Sequence, residues 1–66
     1  MIGQKIKQYL DENGIKQSFV AEKVGIPQAQ MSEICNKGRK IDCVLYYKIC
    51  KALNVHLELF LEGEEE

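Results

Sequence analysis

The sequence predicts an all-α fold, a compact bundle of five short helices. Three observations carry that reading. Apolar residues recur at helical spacing along nearly the whole chain. No alternating run is bounded by hairpin turns, so strand signals are close to absent. Asn13-Gly14, Gly25, Pro27, Gly38 and Asn54 cut the pattern into pieces of helix length.

The first helix is expected over 2–12, where Ile2, Ile6, Tyr9 and Leu10 fall on one face and Asn13-Gly14 ends the run. Ile15 follows as an apolar plug. The second helix spans 17–24, with Val20, Ala21 and Val24 as its stripe, Phe19 beside it and Gly25 as its stop. Lys16 is a poor N-cap for it, since Ser, Thr, Asn or Asp would accept from the free first-turn N–H groups. The third helix covers about 27–36. Pro27 is tolerated in a first turn because its missing N–H has no partner there. Met31 and Ile34 face inward, and Gln28, Ala29, Gln30 and Glu33 face outward.

A basic turn, Lys37-Gly38-Arg39-Lys40, leads to the fourth helix over 43–53, capped by Asp42. Cys43, Tyr46, Ile49, Cys50 and Leu53 form its inward stripe, and Val44, Leu45 and Tyr47 lie off it. A fifth helix over 57–61 buries Leu57, Phe60 and Leu61, and Gly63 ends it. Residues 1–61 thus read as one domain and 62–66 as an acidic tail.

The 66 residues are 45% apolar and 29% charged, an ordinary globular composition. A membrane-spanning helix needs about 20 apolar residues, and no stretch approaches that. Met1-Ile2-Gly3-Gln4-Lys5 has no apolar core of a signal peptide, and Gly is third, one place late for myristoylation. The expectation is a cytoplasmic protein. The net charge of −1 conceals an asymmetry, because residues 62–66 carry −4 and the remainder holds nine Lys/Arg against six Asp/Glu. A mildly basic body permits a polyanion partner.

Cys35, Cys43 and Cys50 are odd in number, which argues against a disulfide framework. Neither they nor His56 stand at the short spacings that present two ligands to zinc, so buried apolar cysteines are expected and no metal. One His, no Ser/His/Asp or Cys/His pairing and no Gly-rich phosphate loop argue against an enzyme. No cofactor and no small-molecule ligand are expected.

The stretch 17–36 is a helix-turn-helix signature: two short helices joined by a tight turn containing Gly25. Ala21 permits close crossing, and Ile26, Met31 and Ile34 wedge the second helix onto the core. Together with the basic turn and the closing Lys48-Ile49-Cys50-Lys51-Ala52-Leu53-Asn54-Val55, the chain resembles the phage-repressor and Xre-type helix-turn-helix family over nearly its whole length. The resemblance implies a lambda repressor-like bundle that binds double-stranded operator DNA as a homodimer and regulates transcription, as a repressor of phage or prophage type.

On that resemblance, Gln17 contacts phosphate and supports the reading residues. Gln28 can pair with adenine N6 and N7, Ala29 can touch a thymine methyl, Gln30 can reach a base or phosphate, and Glu33 can accept from cytosine N4. Glu33 is repelled by phosphate unless it pairs with a base or a neighbouring Lys. Lys37, Arg39 and Lys40 fit phosphate contacts, which position rather than specify. Val44, Leu45, Tyr47 and Leu59 are candidates for the dimer interface. The rival readings are a protein-interaction module of the same fold that has lost DNA binding, and an antitoxin-like partner protein.

Overall fold

Four α-helices and one short 3₁₀ turn are the elements of the computed structural model, which describes residues 2–61. The acidic tail at 62–66, with the stop expected at Gly63, lies outside the described residues. In chain order the elements are α1 (Ile2–Glu12), α2 (Gln17–Val24), α3 (Gln28–Lys37), α4 (Cys43–Leu53) and the 3₁₀ turn Leu57–Phe60. The expectation of a fifth helix is corrected by that last element. Leu59 N–H bonds the His56 carbonyl at 3.1 Å and Leu61 N–H bonds the Glu58 carbonyl at 3.0 Å, the i→i−3 pattern of a segment too short for an α-helix.

The helix ends follow from local chemistry. Asp42 accepts the Leu45 N–H at 2.7 Å and so caps α4. Gly25 closes α2 at φ +88°, a left-handed conformation that suits glycine, and its N–H bonds the Ala21 carbonyl. Asn54 does the same for α4 at φ +58°, as the non-glycine residue best suited to it.

Ile6 and Leu10 of α1, Val20 and Ala21 of α2, Met31, Ile34 and Cys35 of α3, Ile49 and Cys50 of α4, and Phe60 are each 2% exposed or less. Tyr9 and Tyr46 meet Phe60 edge-on, with ring centroids 5.7 and 6.4 Å away. The Tyr46 hydroxyl donates to the Leu57 carbonyl, fastening the 3₁₀ turn to α4. Burial pushes the Tyr46 pKa up to about 12.

Gly3 is buried where α1 meets α3, and a Cβ built on it would stand 2.0 Å from the Ile34 carbonyl oxygen. Only a residue without a side chain permits that approach.

Four burial expectations on α4 and around the 3₁₀ turn are corrected. Cys43 is exposed, because it opens α4 beyond the elements that cover Ile49 and Cys50. Leu45 is half-buried and packs against the core, so the inward stripe of α4 is wider than expected. Leu57 and Leu61 are each 44% exposed, since the turn lays one large side chain, Phe60, into the core.

Candidate nucleic-acid interface

The helix-turn-helix is α2, the Gly25-Ile26-Pro27 turn and α3. Ala21 and Val20 bury against the core that Met31, Ile34 and Cys35 enter from α3. Those buried positions fix the rotation of α3 about its own axis. The opposite face carries Ala29, Ser32, Glu33 and Asn36, spaced i, i+3, i+4 and i+7. Ala29 and Asn36 are exposed, and Ser32 and Glu33 are half-buried. Asn36 donates to the Ser32 hydroxyl at 3.1 Å. Ser32 and Asn36 were missed in the sequence, although counting one helical turn at a time from Ala29 finds both.

Gln28 is the first residue of α3 and is exposed at its tip. Gln30, expected to face outward, is half-buried instead. It lines a hollow with Val24, Gly25, Ile26, Asp42, Val44, Leu45 and Lys48, because its place on the helix points it toward α4. Gln17 opens α2 and is half-buried.

Both helices start without a side-chain cap. The Lys16 carbonyl accepts from Phe19 and Val20, and the Pro27 carbonyl accepts from Gln30 and Met31. Pro27 is therefore the residue that precedes α3, one place outside the expected start. With no cap acceptor, the first-turn N–H groups of each helix are suited to an anion.

The basic turn leaves α3 at Gly38, whose φ of +69° reverses the chain. Lys37, Arg39 and Lys40 are exposed. Arg39 is the partner that Glu33 finds. Its Nη1 lies 2.7 Å from Glu33 Oε1, and its backbone N–H donates to the Glu33 carbonyl at 3.2 Å.

A second cationic surface was not foreseen. Lys23, Lys48 and Lys51 line a hollow with Val24, Tyr47 and Ala52 between α2 and α4. Lys51 Nζ lies 6.0 Å from the centre of the Tyr47 ring, and Lys23 Nζ lies 5.7 Å from that of Phe19.

The four residues put forward for a dimer interface are divided. Val44 is 61% exposed and Tyr47 51%, both on α4. Leu59, 44% exposed, lines a different hollow with Lys5, Gln8, Tyr9, Glu12 and Phe60. Leu45 is half-buried in its own molecule. Leu57 and Leu61, at and just after the 3₁₀ turn, are each as exposed as Leu59.

No helix among the described residues is long and apolar enough to cross a membrane.

Comparison with known proteins agrees with this arrangement. The HTH-type transcriptional regulator SinR of Bacillus subtilis (strain 168) is 33% identical over 67 residues, covering all of this chain and 60% of that protein. SinR of Bacillus licheniformis matches to the same extent. The chain thus spans about 60% of the length of these curated relatives. A crystal structure of SinR, the master regulator for biofilm formation, in complex with DNA superposes with a TM-score of 0.79 at 35% identity, over 92% of this chain and 98% of that one. A complex of SinR with SinI gives a TM-score of 0.78 at 32% identity, over 98% of this chain and 64% of that one. The profile of the Cro/C1-type HTH DNA-binding domain matches residues 5–65. The chain belongs to the Cro/C1-type helix-turn-helix family of DNA-binding domains.

Proposed function

We propose that this chain binds double-stranded DNA sequence-specifically as the reading domain of a transcriptional regulator, a repressor, with α3 in the major groove. The observation that carries the reading is the outward face of α3. It is polar and held in a fixed rotation by three buried residues, and the exposed Gln28 tip and the Lys37–Lys40 turn flank it. A major groove admits one helix, and the residues near its N-terminus reach base edges. Gln28 and Ala29 fit base contacts, and Gln17, Lys37 and Lys40 fit phosphate. Gln30 fits less well than its neighbours, because it is turned toward α4. The likeness to SinR bound to DNA supports the same use of the fold.

The regulator acts as a homodimer, which places two copies of α3 about 34 Å apart on one face of the duplex. The exposed leucines at the 3₁₀ turn, Leu59 among them, are the candidate for that contact, because three large apolar side chains stand open within five residues. Sedimentation of wild type and Leu59→Asp checks it: the substitution should yield monomer. A wild-type monomer at tens of micromolar, with and without DNA, would remove the dimer.

Selection from a random duplex library at about 100 mM salt, a range in which phosphate contacts still hold, tests the main reading. A palindromic site should emerge, and Gln28→Ala should relax one position in each half. If nothing is enriched, the protein-interaction reading takes its place.

A further inference from the structure

Glu33 sits on the outward face of α3, where a lone carboxylate would be repelled by any phosphate backbone that the helix approached. It is not alone. Arg39 reaches back six residues and meets it twice, through Nη1 at 2.7 Å and through its own backbone N–H at 3.2 Å. The left-handed Gly38 turns the chain so that both contacts form together. The two side chains remain 49% and 44% exposed, Arg39 and Glu33 respectively. An ion pair so open to water contributes little to stability. Its effect is positional: it holds a long, rotamer-rich side chain against the helix face. A guanidinium offers five N–H donors in a planar fork, and Glu33 engages only one end of it.

We propose that Glu33 is a positioning residue and that Arg39 is the base-reading residue at this end of α3, taking guanine through O6 and N7. The assignment rests on the major-groove reading above and replaces the expected roles of both residues, cytosine for Glu33 and phosphate for Arg39. Pairing cancels the charge of Glu33, and pre-ordering removes part of the entropy that a free Arg39 would lose on binding. The partner is therefore a duplex with a guanine facing the C-terminal end of α3.

The test is selection from the random library, with affinity for the selected duplex, for wild type, Arg39→Ala, Arg39→Lys, Glu33→Ala and the double Ala variant. Circular dichroism checks that each is folded. Arg39→Ala should relax one guanine position and weaken binding by about ten- to a hundredfold, the range of a bidentate base contact. Arg39→Lys should relax the same position, because an ammonium lacks the fork. Glu33→Ala should relax that position too, with a several-fold loss, and the double variant should bind no more weakly than Arg39→Ala. Four results would overturn the assignment while leaving the major-groove reading intact. Arg39→Ala could weaken all sequences equally and lower the salt slope by about one, as a phosphate contact does. Arg39→Lys could keep wild-type preference. Glu33→Ala could relax a position that Arg39→Ala leaves intact. Glu33→Ala could tighten binding without changing preference. Failure of the wild type to select any sequence would overturn the major-groove reading and this assignment together.

Discussion

Replacing Gly3 by Ala sets two effects of known size against each other. Alanine is favoured over glycine by about 1 kcal/mol in a helix interior and by at most that in the first turn, where Gly3 stands. Against that, the new methyl would stand 2.0 Å from the Ile34 carbonyl oxygen, where ordinary contact begins at 3.4 Å. Helices α1 and α3 would have to part by about 1.4 Å, and the obstacle is backbone, which cannot rotate aside. Ile6, Leu10, Met31 and Ile34 lie along that junction at 1% exposure or less, so a close-packed interior would have to open. Overpacking of this kind costs about 1–3 kcal/mol, and a carbonyl obstacle belongs at the upper end. The net is a loss of about 2 kcal/mol, a large share of the stability of any small domain. At about 4–8 °C per kcal/mol in a chain of this size, Tm should fall by about 8–16 °C. Thermal and urea unfolding followed by circular dichroism would read it, with Gln4→Ala, exposed on the same turn, as the control for propensity alone. A Gly3→Ala protein as stable as wild type, or more so, would show that the first turn of α1 yields freely and that the close approach contributes nothing.

Other expectations follow from the same geometry. Asp42→Ala removes the acceptor of the Leu45 N–H and should cost about 1 kcal/mol, and Asp42→Asn should restore most of it, both by urea unfolding. Tyr46 holds its proton up to about 12 in the folded chain and to about 10 when unfolded. Its contribution is therefore complete below about pH 10 and is lost as pH rises toward 12. Tyr46→Phe should flatten that alkaline decline, measured by urea unfolding at rising pH. Of the three thiols, exposed Cys43 should alkylate rapidly, whereas buried Cys35 and Cys50, whose pKa values burial raises, should react only on unfolding; mass spectrometry with and without denaturant separates them.

The limits of α1, α2 and α4 are legible because each joins a periodic apolar stripe to a clear stop, such as Gly25 after Val24. The start of α3 is off by one for a physical reason. Proline lacks the N–H that neither the residue before a helix nor its first residue needs, so either place suits it. The outward face of α3 was available from spacing alone, since Ser32 and Asn36 follow Ala29 by one and two turns. The Glu33–Arg39 pair was not. Six residues is no helical pairing distance, and the contact exists only because Gly38 reverses the chain. Nor did periodicity reveal the role of Gly3, although an unexplained glycine inside a good helix pattern is a sign of close approach. The exposure of Leu57 and Leu61 escaped notice because hydropathy does not distinguish an α-helix from a 3₁₀ turn that can bury one side chain.

Helix α3 carries two independent texts on one strand of ten residues. Met31, Ile34 and Cys35 are spelled for the interior, and Ala29, Ser32, Glu33 and Asn36 are spelled for whatever the helix meets. Surface changes away from special features usually alter stability by no more than about 0.5 kcal/mol. The outward text can therefore be rewritten while the inward one still folds the chain. A lineage, or an experimenter, can vary the outward residues of this helix without rebuilding the scaffold that presents them.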